Sequence, residues 1–238
     1  MNIVNFVIQG KGGVGKSFVA WVIGQYGLEK RENTYYADLD PTNASFHRYP
    51  ALNAEHINIS KTDKEIDRRR FDDVVDALCL HEGFSLVDTG APTFLPLMSY
   101  ITENKTFELL EDQGREVYIH TPIVGGPAME QTLVGLQSIL ESCPGRVVIW
   151  ENEYFGAVDI DGKRIVETQL YKKHQDRIAG VIKIAKYPAD TLAVDIKTIL
   201  EKRMVLADSK TAGFRIPAQN RIENFKRDMF DQLEAVGL

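Results

Sequence analysis

Short apolar runs alternate along the chain with longer stretches in which apolar residues return every three or four positions. The first pattern marks buried strands and the second marks helices that pack by one face. The runs predict strands near residues 3–9, 34–39, 84–88, 116–120, 146–151 and 178–184. The periodic stretches predict helices near 16–30, 63–81, 94–112, 127–141, 189–207 and 218–236. In helix 63–81, Ile66, Val74 and Leu78 share a face, with Phe71 and Val75 alongside, while most Asp and Arg side chains turn away. Pro144-Gly145 stops a helix before the strand Val147–Trp150. Such alternation builds βαβ units, so the expected fold class is α/β: a doubly wound, mostly parallel sheet flanked by helices. Residues 158–166 break the rhythm. Apolar residues alternate there around Asp161-Gly162, which predicts a small β-hairpin insertion near 157–166 with a type I′ turn. There is no repeat, linker or low-complexity tract, so residues 1–238 are expected to form one domain.

Composition narrows the class. The 238 residues are 44% hydrophobic and 26% charged, ordinary for a globular domain with a full core. The net charge of −6 argues against a dedicated nucleic-acid binder, although Arg68-Arg69-Arg70 is a dense basic run. The functional reading of that run is phosphate contact with non-specific DNA; the plainer one is a charged outer helix face. No apolar run approaches the roughly 20 residues that span a bilayer, and the chain enters a strand without a charged leader, so a cytoplasmic protein is expected. Cys79 and Cys143 are far apart and outside any C-x-x-C pair, which gives zinc or iron–sulfur chemistry no support and predicts buried free thiols.

The chemistry concentrates at residues 8–17, Ile-Gln-Gly-Lys-Gly-Gly-Val-Gly-Lys-Ser. Gly10, Gly15, Lys16 and Ser17 fit the phosphate-loop pattern G-x-x-x-x-G-K-[ST], between a strand and a helix as that loop requires. Backbone N–H groups of such a loop converge on phosphate oxygens, and the helix N-terminus adds positive potential. Gly10, Lys11, Gly12, Gly13, Val14, Gly15, Lys16, Ser17 and Phe18 are therefore the expected nucleotide-binding residues, with ATP and Mg²⁺ as cofactors. Lys16 is expected on the β- and γ-phosphates and the Ser17 hydroxyl on Mg²⁺. Phe84–Asp88 is an apolar run ending in a carboxylate, the form of a Walker B strand, so Asp88 is expected to hold Mg²⁺ from the strand end. Gly90-Ala91-Pro92 then forms a loop suited to sensing the γ-phosphate. Asn152 is the candidate for the adenine edge, and Tyr187-Pro188 for flanking the base.

The octet Gly10-Lys11-Gly12-Gly13-Val14-Gly15-Lys16-Ser17 resembles the deviant phosphate loop of the ParA/MinD ATPases. The resemblance implies a P-loop NTPase fold and an ATP-dependent homodimer in which Lys11 reaches the partner's phosphates, as an arginine finger does. Asp38-Leu39-Asp40-Pro41 resembles the second acidic motif of that family. Asp40 would then orient the attacking water, and Asp38 would sit near Mg²⁺ and the switch loop. Thr42-Asn43 stands where many of these proteins continue with Gln. Further stretches, chiefly Val148–Gly156 and Phe230–Ala235, resemble a narrower family, the TraL-type conjugal-transfer proteins of broad-host-range plasmids. That resemblance implies partners in the conjugation machinery. Two other readings are a metabolic P-loop enzyme related to dethiobiotin synthetase and a MinD-like membrane-cycling protein. The membrane reading needs the stripe Ile222, Phe225, Met229, Phe230, Leu233 and Val236 to face lipid, whereas the acidic residues on its polar side favour docking on the core.

Overall fold

The computed structural model describes residues 2–62 and 65–238. Its main sheet has seven strands in the order β3-β2-β6-β1-β7-β8-β9. They are β1 (Asn2–Val7), β2 (Thr34–Leu39), β3 (Glu55–His56), β6 (Phe84–Thr89), β7 (Arg115–Val124), β8 (Arg146–Asn152) and β9 (Ile178–Ile184). All are paired in parallel. Strand residues alternate between two cores, as the pleat requires. Ile3 and Val7 of β1, with Val148 and Trp150 of β8, face helices α1 (Lys16–Lys30), α7 (Leu192–Glu201) and α8 (Ile216–Ala235). Val4 and Phe6, with Val147 and Ile149, face α2 (Arg70–Leu80), α3 (Phe94–Asn104), α4 (Thr106–Asp112) and α5 (Met129–Ser142). This is the doubly wound sheet the sequence predicts. The stripe on α8 is docked, with Ile222, Phe225, Met229, Phe230 and Leu233 buried in the first core. No helix among the described residues is long and apolar enough to cross a membrane.

Departures from the predicted elements have local causes. The helix expected over 94–112 is two helices, because Lys105 turns left-handed at φ 49° and caps α3 on Ile101 O. The helix expected over 63–81 begins only at Arg70. Its first two predicted residues, 63 and 64, lie outside the described residues; Glu65–Ile66 is a strand, β5, paired antiparallel with β4 (Ser60–Thr62). Asp67 Oδ1 accepts from Arg69 N–H at 3.1 Å and turns the chain into the helix. The helix expected over 189–207 stops at Glu201, and a five-residue 3₁₀ segment follows at Leu206–Lys210. The insertion keeps its turn, with Asp161 and Gly162 at φ 52° and 77°, but it closes through the single antiparallel bridge Ile160–Lys163 and then enters a 3₁₀ turn. A last helix, α6 (Gln169–Lys173), precedes β9. Strand β7 outruns its prediction. Past His120 it leaves β1 and pairs only with β8, so Pro122 sacrifices no ladder bond toward β1.

A polar line crosses the sheet beneath α1. Trp150 Nε1 donates to His120 Nδ1 at 3.0 Å, His120 Nε2 lies 3.0 Å from Asn5 Oδ1, and Asn5 Nδ2 donates to Ser85 O at 3.0 Å. These contacts need a neutral imidazole with its proton on Nε2. Burial alone pulls the His120 pKa from 6.5 to about 3. The unfolded chain therefore takes up the proton first on acidification. The His120 contribution to stability is full above about pH 6.5 and falls as pH drops toward 3, by about 1.4 kcal/mol per unit. Chemical denaturation at pH 7 and 4.5 should show the wild type losing a few kcal/mol relative to His120→Gln. An equal gap between the two proteins at both pH values would refute this.

Candidate nucleotide site

The loop between β1 and α1 is shaped by glycine. Gly13 and Gly15 take φ of 76° and 99°, where a Cβ is strained, and a Cβ on Gly10 would press against the Phe94 ring at 2.9 Å. The loop is anchored from behind by Gln9, which is fully buried. Gln9 Nε2 is shared among Thr121 Oγ1 and the carbonyls of Pro122 and Thr132 at 3.1–3.2 Å, while Oε1 accepts from Gly10 N–H at 2.8 Å. Sequence reasoning missed this residue; its one signal is an amide closing a mostly apolar strand. Gly135 of α5 lies against the same amide, and a Cβ there would overlap Gln9 Oε1. Gly135→Ala should cost about 1–3 kcal/mol of stability and weaken ATP binding by displacing the start of the loop. Thermal melts and a fluorescent-ATP titration check both; unchanged values would deny Gln9 its anchoring role.

Lys16 is 7% exposed, and its Nζ donates to the Lys11 carbonyl at 3.0 Å. Burial lowers its pKa, against the opposing effect of the Asp88 and Asp40 carboxylates. The Lys11 side chain itself has no hydrogen bond or ion pair among the described residues. Parallel pairing sets Asp88 beside Val7 on one side and Asp38 on the other, at the carboxyl edge of the sheet. Asp88 is fully buried. Its Oδ1 accepts from Thr89 N–H at 3.0 Å, and its Oδ2 has no hydrogen-bond partner. Desolvation, then the nearby Asp38 charge, push its pKa up to about 8, against the Ser17 hydroxyl and Lys16. An orphaned carboxylate oxygen beside a serine hydroxyl suits Mg²⁺, which takes few protein ligands and fills its shell with water and phosphate oxygens. The described residues contain no group of three or more His, Cys, Asp or Glu arranged to hold a metal, so a cation here would depend on the phosphates.

Asp38 does a different job from the metal contact expected of it. Its Oδ1 accepts from Asp40 N–H at 2.9 Å, and its Oδ2 accepts from Phe46 and His47 N–H at 2.9 and 3.0 Å. The carboxylate is spent on folding the loop after β2. That loop presents Asp40, whose Oδ1 accepts from Thr42 and Asn43 N–H at 2.8 and 3.2 Å. Asn152 is also redirected. Its Nδ2 donates to Val14 O of the phosphate loop at 3.1 Å and its Oδ1 accepts from Tyr154 N–H at 3.1 Å in the turn after β8, so both ends of the buried amide are engaged within the chain. Pro188 is exposed beyond β9, its carbonyl turned back on Thr191 and Ala193, and Tyr187 packs edge-on against Phe225.

A cleft of about 570 Å³ opens in front of the loop. Gly12, Gly13, Gly15, Lys16, Ser17 and Phe18 form one wall, and Asp40, Thr42, Asn43, Ser45 and Arg48 another. Ala91 and Pro92 close one end and Arg203 borders it from the C-terminal part of the chain. Residues 91–93 are a 3₁₀ turn fixed by Thr93 Oγ1 on Leu39 O at 3.1 Å. Arg48 and Arg203 had not been singled out in the sequence. Of the basic run 68–70, Arg68 is paired with Glu103 at 2.5 Å and Arg70 with Asp73 at 3.4 Å.

The sheet order, the loop and the acids at the ends of β2 and β6 define a P-loop NTPase fold of the ParA/MinD type. Two proteins named TraL from Escherichia coli are 33% and 35% identical to it, each aligned over nearly its full length (98% and 97%) and over 99% and 97% of this chain. The chain belongs to the TraL family. No protein-family model matches it. Among solved structures it is similar to the MinD cell division protein of Aquifex aeolicus (TM-score 0.52, 12% identity, 98% of this chain and 97% of that one). It is also similar to a putative plasmid partition protein of Borrelia burgdorferi B31 bound to AMPPNP (TM-score 0.50, 14% identity, 98% and 100%).

Proposed function

We propose that this chain is a Mg²⁺-dependent ATPase that forms a homodimer around ATP and releases it on hydrolysis, acting from the cytoplasm in plasmid conjugal transfer. The observation that carries the reading is the convergence of Lys16, Asp40 and the orphaned Asp88 oxygen on one glycine-rich loop whose Lys11 ammonium has no partner among the described residues. Bound Mg²⁺ would be held by Ser17 and Asp88 and would supply charge neutralisation between the β- and γ-phosphates. Loop N–H groups and Lys16 hold the phosphate chain. Asp40 keeps Oδ2 for a water molecule, its Oδ1 being occupied by the turn. The water oxygen bonds to the γ-phosphorus as the bond to the β–γ bridging oxygen breaks, and its proton passes to the phosphate product. Lys11, delivered from the partner copy, stabilises the charge on the transferring group. AMPPNP in the similar partition protein supports ATP as the ligand. Kinship with TraL supports the conjugal role and partners in the transfer machinery. The docked α8 gives membrane cycling no support, and ion pairs already engage Arg68 and Arg70 of the basic run, leaving Arg69 for DNA. Light scattering with ADP and then with ATP and Mg²⁺ tests the proposal. A doubling of mass with ATP alone is expected; one mass in both nucleotides would remove the dimer switch.

A further inference from the structure

Arg203 occupies a position that usually belongs to glycine. Past the end of α7 its backbone is left-handed at φ 56°. Its N–H bonds Leu200 O at 3.2 Å, and Met204 N–H reaches back to Ile199 O at 3.0 Å, the hydrogen bonding of a helix-ending turn. A side chain there strains the backbone. The turn is held on the phosphate-loop helix from two points. Trp21 Nε1 donates to Met204 O at 3.1 Å, and Leu206 N–H donates to Gln25 Oε1 at 2.5 Å. Trp21 and Gln25 are one helical turn apart, so the helix that presents its N-terminus to phosphate also sets the place of Arg203.

The side chain is aimed as well as placed. The guanidinium carbon lies 5.7 Å from the centroid of the Tyr49 ring, which in turn lies 6.2 Å from Trp21. The Tyr49 ring and hydroxyl brace the guanidinium, and its five N–H donors leave others for an anion. Arg203 borders the cleft that holds Lys16 and Ser17, as does Arg48, whose Nη2 donates to Asn43 O at 2.7 Å. Neither arginine has a carboxylate partner among the described residues, whereas Arg68, Arg146, Arg164 and Arg221 each have one. Among the described residues that line the cleft, Asp40 is the carboxylate and is already engaged by its own turn, while Asp88 lies buried behind Lys16 and Ser17. Arg48 and Arg203 thus add two cations at the cleft beyond Lys16.

We propose that Arg203, braced on Tyr49 and joined by Arg48, is a clamp supplied in cis to the phosphate chain of the bound nucleotide. The proposal rests on the nucleotide reading above and adds a specificity-determining residue from a distant part of the chain. The decisive variant is Arg203→Gly, which removes the cation and also relieves the left-handed strain. Its melting temperature should equal or exceed that of the wild type. Calorimetric titration should show ATP with Mg²⁺, and inorganic tripolyphosphate, both bound roughly tenfold more weakly, as expected for one lost charged hydrogen bond. Arg203→Lys should recover only part of the loss, since an ammonium neither stacks nor forks. Full affinity for both ligands in a folded Arg203→Gly would overturn the clamp. Weakened ATP binding with unchanged tripolyphosphate binding would overturn the phosphate assignment and move Arg203 to the base or ribose. Failure of the unmodified protein to bind ATP would overturn the nucleotide reading itself.

Discussion

Replacing Lys11 with Ala should leave the fold and ATP binding intact, abolish the ATP-dependent dimer, and lower hydrolysis by about 10³-fold. The separation of effects follows from which atoms of Lys11 the structure uses. Its carbonyl receives Lys16 Nζ at 3.0 Å, a contact that Ala preserves. Its ammonium has no partner among the described residues, so truncation leaves none of them unpaired in the monomer. A cation offered in trans matters only when a second copy closes over the phosphates, where low dielectric strengthens it. Light scattering on Lys11→Ala with ATP and Mg²⁺, alongside phosphate release, makes the check. A dimer of undiminished strength would reduce Lys11 to a solvated loop residue. By contrast Lys16, 7% exposed and coupled to two carboxylates, should abolish nucleotide binding itself when truncated, so the two lysines are distinguishable by binding alone.

How much of this was legible beforehand depended on the range over which each determinant acts. The strands and most helices are written locally, in apolar runs and periodic faces. The phosphate loop is written locally too, since its glycines, lysine and serine are consecutive. What local reading failed to find was set by single backbone torsions or by contacts far apart in sequence. Lys105 splits a helix whose apolar periodicity runs straight through it, because periodicity registers side chains and not the sign of φ. Asp38 and Asp40 are equivalent on paper, two acids at one strand end. Only the fold of the following loop shows that Asp38 is consumed by Phe46 and Asp40 N–H groups while Asp40 remains available at one oxygen. The placement of Asn152 and of Arg203 escaped local reading for the same reason. The first is 138 residues from its loop partner Val14, and the second reaches the cleft only because Trp21 and Gln25 hold its turn.

Asp88→Asn should stabilise the nucleotide-free protein and destroy Mg²⁺-dependent hydrolysis at once. The native carboxylate is fully buried with one oxygen unpartnered, and its pKa stands near 8 instead of 3.8. On raising the pH, the unfolded chain gives up this proton near pH 4 while the folded chain holds it until about 8. The contribution to stability is therefore complete below pH 4 and is lost progressively as pH rises through 8, at about 1.4 kcal/mol per unit. Asn carries no proton to lose, so the stability of Asp88→Asn relative to wild type should grow from pH 4 to pH 8. His120 acts with the opposite sign between pH 3 and 6.5. In the wild type the two slopes offset each other over the shared range, and a flat profile there would conceal both; single variants expose them. Under the proposed function, Mg²⁺ bound with ATP would reverse the electrostatics of Asp88, because a dication makes a buried anion favourable. Wild type should accordingly gain more stability from ATP with Mg²⁺ than from ATP with EDTA, whereas Asp88→Asn should gain equally from both and hydrolyse at least about 10²-fold more slowly. A variant that melts no higher than wild type at pH 8 would show that Asp88 pays no desolvation penalty, and retained Mg²⁺ dependence would place the cation elsewhere.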